Sequence, residues 1–166
     1  MNEFVPLKKA FEQNRYKDVV SGVVESIKNT PLNAVEIIQF ANLALDSIKR
    51  DPSIRNKEEF LLEKIAKAYL ETNSHAKAKD IYFKLIKMNS SWENIQGLII
   101  TLANEGEIDE LKKTVKANVE NYIKTKNTVK LNALAQLLEE HGLYKNFKQE
   151  IAVSYTHLTL PTTPYV

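Results

Sequence analysis

Four short polar turns, Asn14-Arg15-Tyr16, Asn73-Ser74-His75, Gly106-Glu107-Ile108 and Gly142-Leu143-Tyr144, each end one apolar helical pattern and open another. Apolar residues recurring at three- and four-residue spacing on both sides of a tight turn specify paired amphipathic helices, not strands. The clearest case is Leu62–Leu85, LEKIAKAYLETNSHAKAKDIYFKL. A chain punctuated in this way folds into stacked helical hairpins rather than around a central sheet.

Composition agrees with that reading. The 166 residues suffice for one domain with a core; 43% are hydrophobic and 27% charged, close to ordinary globular usage. Only four are glycine, while Ala, Leu, Ile, Lys and Glu abound, and long unbranched side chains lose little rotamer freedom in a helix. The net charge of +2 selects no partner, since Lys and Glu alternate along most segments. With no cysteine, disulfides, thiol catalysis and cysteine-ligated metals are excluded. The N-terminal MNEFVPLKKAFEQNRYKD lacks the continuous apolar run of a signal peptide or membrane span, so the cytoplasm is the expected location.

Nine helices are expected. The first runs from Pro6 to Gln13 and the second over Tyr16–Lys28, stopping before Asn29-Thr30-Pro31. The third opens at an Asn33/Glu36 capping box and is apolar around most of its circumference, which predicts a central position. Asn56 with Glu59 predicts a second box for helix four, Lys57–Thr72, and Ser90 with Glu93 a third for helix six, Ser91–Asn104. Helix five spans His75–Met88, helix seven Ile108–Lys124 and helix eight Thr128–His141; helix nine starts near Tyr144. No segment of the body reads as a strand.

Val153–Val166, VSYTHLTLPTTPYV, breaks this composition, because every Lys, Arg, Asp and Glu of the chain lies before it. Its threonines and prolines predict that helix nine stops near Ala152 and that 153–166 is non-native or disordered. SYTHLTLP resembles the peptide translated from a sequencing adapter, so the native protein is expected to continue as a longer chain of which 1–152 is a fragment. A genomic read across Ala152 is expected to diverge from SYTHLTLP; an in-frame stop after Val166 would instead make this arm genuine.

Large, small and aromatic residues at Leu62, Ile65, Ala66 and Tyr69 on one helix, with Ala78 and Tyr82 on the next, resemble the tetratricopeptide repeat. Weaker copies hold Ile95, Leu98, Ile99, Leu102, Leu111 and Val115, then Leu131, Leu134, Ala135, Leu138, Phe147 and Ile151. The N-terminal copy rests on Tyr16, Val19, Val23 and Pro31. Turns at Asn73, Gly106 and Gly142 lie 33 and 36 residues apart, near the period of this family. From Asn14 to Asn73 the separation is 59, short of the roughly 68 that two such repeats require. Either a helix has been lost there, or helices three and four pair and the stacking phase slips.

The resemblance implies an all-α, right-handed superhelical array of antiparallel hairpins over 1–152, with an irregular second repeat and a concave groove that binds a peptide or protein segment. It places Phe60, Glu63, Lys67, Leu70 and Glu71 in that groove, then Glu93, Gln96, Ile100 and Asn104, then Asn132, Gln136 and Glu140. The lining lacks the Lys and Asn set with which some family members clamp a terminal carboxylate, and Glu63, Glu71 and Glu140 would repel that group.

Catalytic signals are weak beside this. His75 and His141 lie at turns and His157 in the anomalous tail; none has a partner at metal-ligand spacing. The acid pairs Glu58-Glu59 and Glu139-Glu140 diverge on a helix instead of facing across a cleft. The glycines form no phosphate-binding loop, and no cofactor or metal is expected. Lys112, Lys113, Lys116, Lys124, Lys126 and Lys130 form one local basic excess with little aromatic interleaving, which reads as a solvated face. The expected function is therefore a non-enzymatic protein–protein interaction scaffold. The alternatives are the accessory domain of a larger enzyme or an RNA-binding helical repeat, and nucleic acid is not the expected partner.

Overall fold

A computed structural model describes residues 3–157, with side chains through 152. The fold is all-α: among the described residues there are nine α-helices and no strand. They are α1 Phe4–Glu12, α2 Tyr16–Asn29, α3 Ala34–Arg50, α4 Glu58–Glu71, α5 His75–Met88, α6 Trp92–Glu105, α7 Ile108–Lys124, α8 Thr128–Glu140 and α9 Tyr144–His157, with a 3-10 helix at Pro52–Lys57. The chain forms two compact units, Met1–Asn94 and Ile95–Val166.

Five of the turns share one hydrogen-bonding scheme. Asn14, Asn73, Gly106, Lys126 and Gly142 adopt left-handed backbone conformations, with φ between 53° and 70°. Each donates its N–H to a carbonyl three residues back, at 3.0–3.2 Å, and the next residue donates to one five residues back, at 2.7–3.0 Å. This Schellman arrangement satisfies carbonyls that a helix end otherwise leaves unpaired, and it reverses the chain in two or three residues. Four of these positions carry the Asn and Gly that tolerate such a φ. The fifth, Lys126, gave no sequence signal because lysine seldom adopts it.

In the first unit, α2 packs on α1 and α3, α1 also reaches α3, and α3 and α5 pack on α4. The core includes Val19, Val23, Phe40, Ala41, Ala44, Leu61 and Leu85, all fully buried. Helix α3 is central to this unit, as its apolar circumference predicts: Phe40 stacks on Phe4 at 5.2 Å, and the Arg50 guanidinium lies 5.0 Å above the Phe11 ring. In the second unit α7, α8 and α9 pack mutually. They bury Val115, Leu131, Leu134, Leu138 and Ile151.

Between α3 and α4 the 3-10 helix contacts α2, α3 and α4. Its six residues rise about 12 Å, whereas the 17 residues of α3 span about 25 Å. The chain therefore cannot return along α3 before α4 begins. Helix α4 starts at the C-terminal end of α3 and runs antiparallel to it, so helices three and four pair. The Asn33/Glu36 box forms in both directions, each bond 2.9 Å. The Asn56/Glu59 box does not: Asn56 lies in the 3-10 helix, α4 starts without a side-chain cap, and Glu59 accepts instead from Asn89 Nδ2 at 3.1 Å. The third box does not form either: Ser91 Oγ, not Ser90, accepts from the Asn94 amide at 3.4 Å, and the Asn94 side chain turns to the Asn89 carbonyl instead of closing the box.

Helix α9 runs to His157, five residues past the expected stop at Ala152. Valine, serine, tyrosine and threonine each cost a helix only tenths of a kcal/mol, and the first proline of the tail is residue 161. The remainder of that tail lies outside the described residues.

A Cβ built on Gly106 or Gly142 meets nothing within 4 Å, so replacement there costs backbone conformation alone. Gly106→Ala and Gly142→Ala are each expected to lower stability by about 1 kcal/mol, and Lys126→Gly to raise it by a similar amount. Urea unfolding of the three variants checks both signs.

Candidate functional site

The polar faces of α4 and the α5–α6 connection enclose a cavity of about 250 Å³ within the first unit. Glu63 and Lys67, one turn apart on α4, line it together with Glu93 at the start of α6. Its wall includes Tyr82, which is 4% exposed, and Asn94, which is 2% exposed. Asn94 Nδ2 donates to the Asn89 carbonyl at 2.9 Å, and Asn89 reaches back to Glu59 on α4. The connection is thus tied to both of its neighbours. Among the described residues, Glu63, Lys67 and Glu93 carry no ion pair, so their charges face solvent and any ligand that enters.

The other expected groove residues are dispersed. Phe60 is clasped between cations, with Lys28 Nζ at 5.3 Å and Lys64 Nζ at 5.5 Å from its ring centre. Leu70 is half-buried and Glu71 exposed at the end of α4. In the second unit, Gln96 and Ile100 are half-buried on α6 and Asn104 is exposed. Asn132, Gln136 and Glu140 form an exposed stripe on α8, where Gln136 Nε2 donates to Glu140 Oε1 at 3.1 Å. Sequence spacing found the three charged groups of the cavity but missed Tyr82, Asn89, Ser91 and Asn94. Those come from the connection, whose path periodicity does not specify.

A second, larger cleft of about 520 Å³ opens in the same unit between α3 and α5, with α4 as its floor. Apolar Ile48, Leu62 and Ile65 line it, with Asp46 and Lys49 of α3 on one side and Asp80 and Lys84 of α5 on the other. Lys84 Nζ pairs with Glu58 at 3.1 Å. No motif marked this cleft, although it lies at the irregular join that the turn spacing had located.

His75 is half-buried, and its Nδ1 has no hydrogen-bond partner; His141 is exposed. His157 lies beyond the described side chains. Among the described residues no group of three His, Cys, Asp or Glu is placed to hold a metal ion. The six lysines of 112–130 are mostly exposed. No protein-family model, curated protein or solved structure matches the chain.

Two buried tyrosines have phenol pKa values above the ordinary value near 10, Tyr82 in the cavity wall and Tyr122 in the core of the second unit. Burial is the cause in both, because it disfavours the phenolate. Their contribution to stability is complete below pH 10 and is lost as pH rises through the higher folded-state value, since the unfolded chain releases these protons first. Tyr122 also leaves its hydroxyl without a partner, a cost that phenylalanine removes. Tyr122→Phe is expected to be at least as stable as the parent at neutral pH, by up to about 1 kcal/mol, and to lose less stability above pH 10. Thermal unfolding across an alkaline pH series measures both.

Proposed function

We propose that this protein is a non-enzymatic interaction scaffold of the tetratricopeptide-repeat kind, cytoplasmic, which binds a peptide or protein segment against the first-helix faces of its hairpins. The observation that carries this reading is the cavity beside the α4–α5 hairpin, where Glu63, Lys67 and Glu93 stand unpaired over the buried ring of Tyr82. The residues behind the family resemblance support it: Ala66 and Ala78 are fully buried, which lets the paired helices approach closely, and Tyr69 and Tyr82 fill the space beside them. No described helix is long and apolar enough to cross a membrane.

Recognition here is electrostatic, in a recess whose lining is polar apart from Tyr82. Two carboxylates against one ammonium favour a segment that presents a cationic side chain, and disfavour a terminal carboxylate. Exposed charges of this kind mainly set specificity and association rate, each worth up to about 1 kcal/mol. A pull-down with the full chain is expected to recover a protein partner whose capture falls several-fold with Glu63→Lys combined with Glu93→Lys. Capture of no protein, or capture unchanged by the double variant, would reject this reading.

A further inference from the structure

The recess beside α4 holds a buried group with nothing to bond to. Tyr82 is 4% exposed, and its hydroxyl has no hydrogen-bond partner among the described residues. The Tyr122 hydroxyl shares that lack but is sealed inside its core, whereas the Tyr82 hydroxyl is not sealed, and Tyr82 reaches the surface at the recess. Register places it there. Helix α5 runs antiparallel to α4, and Asn89 bonds Glu59 across the pair. Seven residues from that bond, about two turns, Tyr82 comes level with Ala66, so Glu63 and Lys67 lie on either side of it.

The polar groups around that hydroxyl mostly accept. Glu63 on α4 and Glu93 at the start of α6 are carboxylates outside any ion pair among the described residues. Asn94, 2% exposed, already donates through Nδ2 to the Asn89 carbonyl, and its Oδ1 has no partner among the described residues. Lys67 is the one cation among the described lining residues, and it is exposed, which leaves one net negative charge over a wall of unfilled acceptors. A buried polar group without a partner is costly, so a ligand that donates to several of these groups at once is favoured.

We propose that the recess is a recognition site for an arginine side chain of a partner segment. The guanidinium donates to the Glu63 and Glu93 carboxylates, and to the Tyr82 oxygen and Asn94 Oδ1 in the wall. Arginine fits better than lysine for two physical reasons. Its five N–H donors lie in one plane and point in several directions, so they reach acceptors carried by α4, α5 and α6 together, whereas an ammonium concentrates three donors at one point. It is also the more weakly hydrated cation, so it loses less on entering a recess walled by buried Tyr82 and Asn94. The assignment rests on the scaffold reading above and names the side chain that the acidic cavity recognises.

Two phage-displayed peptide libraries with random flanks, one with arginine fixed at the centre and one with lysine, test it by selection against the full chain. The arginine library is expected to enrich, and exchanging arginine for lysine in the selected peptides is expected to weaken binding at least about tenfold. Tyr82→Phe keeps the ring and removes the acceptor, so it is expected to narrow that preference several-fold, and helical circular dichroism verifies that the variant folds. Peptides that are lost with Glu63→Lys and Glu93→Lys but bind equally with lysine, or whose arginine preference survives Tyr82→Phe, would overturn the arginine assignment while keeping the scaffold reading. No enrichment from either library, or binders indifferent to Glu63→Lys with Glu93→Lys, would overturn both.

Discussion

One residue at each of four tight turns serves two helices at once, and the rest of the architecture follows from it. Arg15, Ser74, Glu107 and Asn127 each donate an amide to the fifth residue back, closing the preceding helix, while their carbonyls accept the first bond of the next. The residue just before each of them holds a positive φ. Helix ends are costly because their last carbonyls and first amides lack intrahelical partners. Sharing one residue between two ends satisfies some of these groups and leaves no slack in the connection. Successive helices then lie antiparallel and side by side, which brings apolar stripes at three- and four-residue spacing into contact.

Two of the connections do without that device. Between α3 and α4 the chain passes through the 3-10 helix instead, and between α5 and α6 through an extended Asn89 held by Asn94 and Glu59. Both cavities of the α3–α6 region border these two irregular connections. Each of the two takes part of its wall from one of these joins.

Much of the fold was legible in the residues themselves. Helices α5 and α7 begin and end where apolar spacing and turn residues place them, and Asn33 with Glu36 forms the expected box, because caps and periodicity are local properties. The end of α9 was misjudged because weak helix formers were given the stopping power that only proline has. The Asn56/Glu59 box failed because the 3-10 helix absorbs Asn56 and leaves Lys57 at the start of α4, while Glu59 turns to Asn89, thirty residues away. Of the groove residues, Glu63, Lys67 and Glu93 converge, while Phe60 is occupied by Lys28 from α2.

The sequence by itself determined an all-helical chain, most helix limits, the tight turns at Asn and Gly, and the existence of an irregular join between Asn14 and Asn73. These depend on backbone preferences and on the period of apolar side chains, which act over a few residues. Tertiary structure alone decided that α3 pairs with α4, that Lys126 takes a left-handed conformation, and that Asp46, Asp80, Lys49, Arg55 and Lys84 share one cleft. Those outcomes depend on how far a short 3-10 segment can carry the chain and on which distant groups compete for a hydrogen bond.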